Sequence, residues 1–341
     1  MLRLVAGRIV AGIILTLLLT LATYAVFFRV PVDPAVYASP EGTQEERAAI
    51  RQELGLDEPL LEQWGQFAWR LGTEADLGTS LLDAPDAEAR APVRSILAEA
   101  LPPTISLVLG GFVLTLLLAV PLGMLAALRP RSLLDRSVLA VAVLGVVLHP
   151  FIVGLLLHAL ADRTGIVRGG GYCPIRGEAI DIVGPGQVGS CGGGADWVSR
   201  MWLPWITFAV FFLPLYTRMS RARFLDNLDQ LYVRTARAKG ASERQILFKH
   251  VSRNALGPIA AMLAVDVATV VTAAIYIETV FGLPGVGRLV ASNLGGSTGY
   301  DLHVLVGIVV LVTFAITAAN LFSDLTLRAL DPRVRTGRGA N

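Results

Sequence analysis

Two carboxylates interrupt an apolar run that is long enough to cross a membrane. Asp266 lies well inside the run 257–280, and Glu278 lies near its end. A charged side chain at bilayer depth is costly and therefore faces a partner or a water-filled cavity. The residues leave two interpretations open: a structural pairing with polar groups on other helices, or a place on a translocation path where Asp266 meets a cationic solute.

A glycine-rich phrase nearby, ETVFGLPGVGRL (278–289), imitates a nucleotide-binding loop. Gly282 and Gly287 have the P-loop spacing, but Arg288 and Leu289 replace the required Lys and Ser or Thr, and no strand precedes the phrase. We interpret the phrase as a tight turn that forms part of an outer gate. The turn residues are Gly282, Pro284, Gly285 and Gly287.

Motifs of enzymes and metal sites are absent from the sequence. It has no His-Glu-x-x-His zinc motif and no Gly-x-Ser-x-Gly nucleophile turn. His149 and His158 have no carboxylate or cysteine at useful ligand spacing. The sequence therefore predicts no catalytic residue, no metal site and no cofactor bound by this chain.

The composition is that of a membrane protein. Of the 341 residues, 54% are hydrophobic, and a spanning helix needs about 20 apolar residues. Six stretches qualify, so we predict an all-α polytopic membrane protein. The six transmembrane helices are expected near 8–28, 104–128, 137–160, 201–218, 257–280 and 302–325.

The distribution of Lys and Arg predicts the orientation. Basic residues precede the first run, follow the second, lie between the fourth and fifth, and follow the sixth. Cytoplasmic loops carry such an excess, so these segments and both termini are expected in the cytoplasm of a multi-pass plasma-membrane protein. The acidic segment 29–103 is then extracytoplasmic. Its two helix signatures indicate either a pair packed on this domain or on the membrane surface, or a platform for an external binding protein.

The loop 161–200 is glycine-rich and contains the only two cysteines, Cys173 and Cys191. The orientation places this loop outside the cytoplasm, where oxidation is permitted. The alternatives are a disulfide between the two cysteines and two free thiols. We predict the disulfide, which would stabilise the fold by about 3 kcal/mol through loop closure.

The segment 228–256 is polar and strongly cationic although apolar runs lie on both sides, and we call it the basic hairpin. Asp229 is expected to cap its first helix, and Gly240 stands where a helix end favours a left-handed residue. Ser242 and Gln245 have capping-box spacing for a second helix. A membrane protein with such a hairpin in the cytoplasm presents a docking surface.

The basic hairpin resembles a known loop. RTARAKGASERQILFKHVSRNALGP (234–258) is similar to the cytoplasmic EAA loop of ABC-importer permeases, in the form of the dipeptide/oligopeptide/nickel branch (B-type subunit). Gly240 matches the family's glycine, whereas Arg234, Thr235 and Ala236 replace Glu-Ala-Ala. DLGTSL (76–81), the phrase 278–289 and TLRALDPR (326–333) extend the resemblance over most of the chain.

The resemblance implies a type I importer permease fold with an extracytoplasmic helical segment after helix 1. It divides the chain into a tail with helix 1 (1–28), that segment (29–103), a five-helix core containing the loop and the basic hairpin (104–327), and a cytoplasmic tail (328–341). In the family the first hairpin helix couples to an ATPase. The matching residues are Tyr232, Arg234, Thr235, Ala236, Arg237, Ala238, Lys239 and Gly240.

The implied function is ATP-driven import of di- or oligopeptides by alternating access. The implied partners are a second homologous permease, two ATP-binding subunits that hold the ATP and Mg, an extracytoplasmic substrate-binding protein and membrane lipid. Nickel, metal chelates or glutathione-like solutes are the alternative cargo. An ATP-independent secondary transporter is an alternative from another class, but no clear inverted repeat or set of ion-coupling residues supports it. Nucleic acid is not expected, because both ends of the hairpin enter the bilayer.

Overall fold

A computed structural model of the protein describes residues 2–27, 35–36, 43–53, 55, 57–80, 90–147, 149–164, 171–175, 180–184, 187–191, 193–295 and 301–330. Within these ranges the regular secondary structure is helical apart from one two-stranded hairpin and an isolated bridge between Thr79 and Pro92. The helices up to the hairpin are α1 (Leu2–Phe27), α2 (Gln44–Glu53), α3 (Leu60–Glu74), α4 (Val93–Leu128), α5 (Leu133–Val147) and α6 (Pro150–Thr164). The antiparallel strands are β1 (Ile180–Gly184) and β2 (Gln187–Cys191).

The second half of the chain contains the remaining helices. They are α7 (Gly194–Leu228), α8 (Leu231–Ala238), α9 (Glu243–Gln245), a π-helical stretch (Ile246–Val251), α10 (Ser252–Val265), α11 (Val267–Phe281), α12 (Val286–Gly295) and α13 (Leu302–Leu330). The β-hairpin and α12 were not expected from the sequence. The β-hairpin lies in the glycine-rich loop 161–200, and α12 follows directly on the predicted gate turn.

Four helices of the described residues are individually long and apolar enough to cross a membrane: α1, α4, α7 and α13. The fifth predicted span is a bent pair, Glu243–Leu263 and Val267–Phe281, whose axes differ by 63°. Helix α4 begins at Val93 rather than near residue 104, and its 36 residues exceed the length that a bilayer requires.

The third predicted span, 137–160, is divided between two helices of 15 residues each, α5 and α6. The division lies at His149 and Pro150, because proline has no N–H and disfavours helical geometry in the residue before it. The His149 carbonyl instead accepts from Ile152 N at 3.0 Å and from Val153 N at 3.2 Å, and so begins α6.

The chain forms two compact units, Met1–Thr104 with Pro284–Ala318, and Ile105–Leu283 with Ala319–Asn341. The first unit contains the predicted helix pair of the acidic segment. Thr43 and Glu46 exchange backbone-to-side-chain hydrogen bonds of 2.8 and 3.3 Å at the start of α2. Helix α3 packs Phe67 against Tyr24 of α1 and against the first turns of α13.

A buried polar cluster joins the DLGTSL phrase to the start of α13 within the first unit. Ser80 Oγ donates to Asp301 Oδ2 at 2.6 Å, and Asp301 Oδ1 accepts from Val304 N at 3.1 Å as a helix cap. His303 Nδ1 lies 2.8 Å from the Thr79 carbonyl oxygen. The phrase therefore fixes where α13 begins.

The core of the second unit lies where α4, α6, α7 and α11 meet. Its buried members include Phe208, Phe212, Ile277 and Phe281. Glycine permits close approach of α4 to α7, since a Cβ on Gly111 would lie 2.5 Å from Phe208 Cδ1. The close contact between α4 and α7 thus requires a residue without a side chain at Gly111. Small residues at close crossings are typical of membrane helices.

The segment after α6 folds back onto the second unit. Gly171 N donates to the Phe281 carbonyl at 2.9 Å, and the Tyr172 hydroxyl lies 3.2 Å from Ser106 Oγ. Trp197 Nε1 donates to the same Ser106 hydroxyl at 3.2 Å. The first two contacts hold residues 171–172 against the C-terminal end of α11 and against α4, and the third joins the start of α7 to the same Ser106 of α4.

Ser80→Ala tests the polar cluster of the first unit. It removes a buried hydrogen bond to a carboxylate, so we expect the free energy of unfolding to fall by about 1.5–3 kcal/mol. Equilibrium unfolding in detergent measures the change. Ser95→Ala is the matched control, because the exposed Ser95 hydroxyl bonds only the Pro92 carbonyl. Equal stability of the two variants would contradict the assignment.

Candidate functional site: the basic hairpin

The basic hairpin is built from two helices joined by a tight turn. Gly240 has φ +80°, its N–H donates to the Arg237 carbonyl at 2.9 Å, and Ala241 N donates to the Ala236 carbonyl at 3.1 Å. This is a Schellman motif, which requires a left-handed residue at this position. Ser242 and Gln245 form the predicted capping box. The sequence therefore predicted this turn correctly.

The start of the hairpin differs from the prediction. Asp229 does not cap the first helix, because α7 continues to Leu228 and Asp229 ends it. Gln230 precedes α8 without a side-chain cap. No proline or glycine lies between Pro214 and Asp229, so nothing in the local sequence stops α7 earlier.

One face of the hairpin is anchored in the second unit. Val233 of α8 is fully buried and packs in a cluster with Phe224 of α7, Ile246 and Val251 of the π-helical stretch, and Ala255 of α10. Ala236 is half-buried against the same cluster. Helix α8 is therefore held by apolar contacts on one side only.

The opposite face is open and cationic. Seven of the eight residues matched to the family loop are exposed: Tyr232, Arg234, Thr235, Arg237, Ala238, Lys239 and Gly240. Large apolar side chains lie among these charges, with Leu231 77% and Phe248 68% exposed. Such a mixture indicates a protein-docking surface rather than a purely solvated face. Sequence reasoning missed Phe248, which lies in the π-helical stretch.

An ion pair joins the two helices of the hairpin. Arg237 donates to Glu243 through Nε at 2.7 Å and through Nη2 at 3.1 Å. These hydrogen bonds hold the pKa of the Glu243 carboxyl below its usual value. Both side chains are exposed, and pairs of this kind add little stability. The pair instead orients the guanidinium along the hairpin.

A second ion pair holds α7 at Arg221, one turn before Phe224 of the Val233 cluster. Arg221 donates to both carboxylate oxygens of the buried Asp135 at the start of α5. On the other side of α7, a Cβ on Gly123 would lie 2.6 Å from Ser220 Cβ. Helices α4, α5 and α7 are thus in direct contact where the hairpin begins.

The two carboxylates of the fifth span have different surroundings. Asp266 is half-buried at the break between α10 and α11, and the Tyr216 hydroxyl donates to its Oδ2 at 2.7 Å. Glu278 is fully buried, and its backbone carbonyl accepts from Leu283 N at 2.9 Å. The structure does not bring the two side chains into one site.

The predicted turn after Glu278 is present. Gly282 ends α11 in the left-handed region with φ +64°. Gly285 and Gly287 lie at the start of α12, where Leu289 N donates to the Gly285 carbonyl at 3.1 Å. The role of Pro284 and these glycines in an outer gate remains a prediction.

The loop cysteines are only partly described. Cys173 is fully buried and is not a free thiol. The side chain of Cys191 lies outside the described residues, so the predicted Cys173–Cys191 pairing stays a prediction. The tail 331–341 also lies outside them.

Comparison with known protein families decides the identity. The family described as "Binding-protein-dependent transport system inner membrane component" matches residues 119–336, and its N-terminal companion matches residues 1–108. The chain belongs to this family. It is a multi-pass protein of the inner membrane and the non-catalytic translocation component of an ABC importer, which argues against the ATP-independent alternative.

Relatives match the permease over nearly its whole length. A putative peptide transport system permease protein of Brucella abortus (strain 2308) is 32% identical, covering 98% of this chain and 99% of the relative. The dipeptide transport system permease protein DppB of Escherichia coli (strain K12) is 30% identical, covering 93% and 94%.

The fold also matches a solved structure. A chain of the inward-facing MetNI methionine ABC transporter aligns with a TM-score of 0.53 at 18% identity, covering 70% of the permease and 97% of that chain. The predicted all-α type I permease fold is therefore confirmed.

The ion pair between Arg221 and Asp135 predicts that the free energy of unfolding depends on pH. Hydrogen bonds from Arg221 hold the pKa of Asp135 below its usual value. The pair therefore contributes its full stability above the unfolded pKa of about 3.9, and that stability is lost as pH falls through the lower folded pKa. Asp135→Asn should lower the free energy of unfolding by about 2–4 kcal/mol at neutral pH.

The measurement is equilibrium unfolding in detergent between neutral and acidic pH. The difference between the wild type and Asp135→Asn should shrink in acid. Asp226→Asn, at an exposed position of α7, serves as control. The assignment is wrong if Asp135→Asn shows the same pH dependence as the wild type.

Proposed function

We propose that the permease imports di- or oligopeptides in an ATP-driven system. The relatives named above are themselves described as peptide and dipeptide permeases, and they align with at least 93% of this chain. The observation that carries the proposal is the basic hairpin, which combines a buried apolar anchor with an exposed cationic face. Such a hairpin suits a subunit that has no nucleotide site and receives its energy from a partner.

The proposed assembly contains a second homologous permease, two ATP-binding subunits, an extracytoplasmic substrate-binding protein and surrounding lipid. ATP and Mg would be held by the ATP-binding subunits. The distribution of Lys and Arg supports cytoplasmic termini and a cytoplasmic basic hairpin. The acidic segment 29–103 and loop 161–200 would then face the binding protein.

In the proposed mechanism α8 fits a groove on an ATP-binding subunit. When two such subunits close on ATP, they displace α8, and the cluster around Val233 transmits the displacement to α7 and α10. Coupling of this kind needs a contact with two discrete arrangements. A short helix fixed by a Schellman turn and buried contacts meets that need better than a flexible loop.

We propose that the solute path passes Asp266, while Glu278 and the turn after it lie towards the outer gate. Partial exposure of the Asp266 side chain supports a path role. Glu278 is fully buried, so its part in the path would require a different conformation. Neither carboxylate is needed by the coupling mechanism.

Gly240→Val tests the coupling mechanism. A β-branched residue at φ +80° is strained by about 1–3 kcal/mol, so the Schellman turn should open and α8 should lose its position. ATP-dependent uptake by the reconstituted complex should fall at least tenfold, while membrane insertion continues.

Gly240→Asn is the matched control, because asparagine tolerates left-handed geometry. It should retain most of the uptake. Ala236→Glu places a charge at the half-buried contact with the Val233 cluster. It should lower ATP-dependent uptake as Gly240→Val does. Normal uptake by both Gly240→Val and Ala236→Glu would exclude a coupling role for the hairpin.

The proposed Cys173–Cys191 disulfide has its own test. Gly193 N donates to the Pro174 carbonyl at 3.2 Å, which places the backbone after Cys191 next to the backbone after Cys173. Mass spectrometry after alkylation without reduction should detect neither cysteine as alkylated. Alkylation of both under those conditions would refute the disulfide.

A further inference from the structure

Asp266 occupies a break in a membrane-spanning segment. The bend of 63° lies between α10 and α11, and Asp266 separates the two helices. It is nine positions beyond the start of the apolar run at 257, which is about 14 Å along a helix. The hydrocarbon core is about 30 Å thick, so this carboxylate lies inside the apolar run rather than at its edge.

The carboxylate is not used to cap the helix that follows it. Asp266 stands at the N-cap position of α11, but its side chain makes no capping hydrogen bond. It points instead to α7, where its Oδ2 accepts from the Tyr216 hydroxyl. The Asp266 backbone is itself helical, with φ −78° and ψ −2°, so its side chain is not in capping geometry and is available to other helices.

Among the described residues, no basic side chain pairs with Asp266. Tyr216 supplies one donor, and its ring is fully buried beside Phe112 and Phe212. The half-buried Asp266 carboxylate accepts from one neutral donor, the Tyr216 hydroxyl, and charged residues inside membrane-spanning segments usually mark substrate or ion pathways.

We propose that Asp266 and Tyr216 form a site for the protonated primary amino group of the transported solute. The tyrosine hydroxyl holds Oδ2 and leaves Oδ1 to accept from an ammonium group. The aromatic side chains beside Tyr216 lower the local polarity, which strengthens the attraction between opposite charges. The inference rests on the proposed import function and deepens it by naming the chemical group that is recognised.

A metal ion fits this arrangement poorly. No group of three or more His, Cys, Asp or Glu side chains that could hold a metal ion occurs in the part of the chain that the structure describes. One carboxylate and one phenol supply too few ligands for calcium, and magnesium usually retains several waters. An ammonium group needs only a few hydrogen-bond acceptors, and a carboxylate provides them.

The test uses the full complex in proteoliposomes, with dialanine and N-acetyl-dialanine as probes. Asp266→Asn should lower the initial rate of ATP-dependent dialanine uptake at least tenfold, the effect of losing one charge-assisted hydrogen bond. Asp266→Glu should restore part of that rate. Tyr216→Phe should lower it by about two- to tenfold, because only a neutral donor is lost.

A carbodiimide, which modifies carboxylates in apolar surroundings, provides a readout at the residue itself. Dialanine should protect Asp266 from modification, whereas N-acetyl-dialanine, which has no ammonium group, should not. Asp226→Asn is the control for uptake, since Asp226 is an exposed carboxylate of α7 outside the basic hairpin. That variant should import dialanine at the wild-type rate.

The outcomes separate the two proposals. If the wild-type complex shows no ATP-dependent uptake of dialanine, the proposed function fails and this inference fails with it. If the wild type imports dialanine and Asp266→Asn does so at the same rate, only the amine site is refuted. Equal protection by both probes would also refute it.

Discussion

The burial of Val233 against Phe224, Ile246 and Ala255 is the constraint on which the account depends. It fixes a short cationic helix to the ends of two membrane helices, although the helix is too short to be stable alone. The Schellman turn at Gly240 and the capping box at Ser242 set the angle between the hairpin helices. The apolar face of α8 is buried in this cluster, and the charged face on its other side therefore remains exposed.

The supporting contacts form a continuous chain from the hairpin into the membrane bundle. Arg221 joins α7 to Asp135 of α5, and Gly123 allows the α4 backbone to touch α7 at the same level. Further along α7, Tyr216 contacts Asp266 at the break in the fifth span. A displacement of the hairpin would therefore be carried by α7 past the carboxylate that we assign to the solute path.

Features set by local backbone rules could be predicted from the sequence. The turn at Gly240 and the caps at Ser242 and Thr43 depend only on neighbouring residues. The apolar runs could be identified from composition alone. Pairings between distant residues could not be predicted. Tyr216 and Asp266 are fifty positions apart, and the contact requires the bend of the fifth span. The break at Pro150 was hidden because the residues around it are as apolar as a continuous span.

The central claim is that α8 contacts an ATP-binding subunit, and site-specific photo-crosslinking tests it directly. A photoreactive residue at the exposed Ala238 of the purified complex should give a light-dependent adduct with the ATP-binding subunit. The same residue at Leu155, on the exposed apolar surface of α6, should give none. Absence of that adduct from every exposed position of α8, or an adduct with the substrate-binding protein instead, would contradict the account.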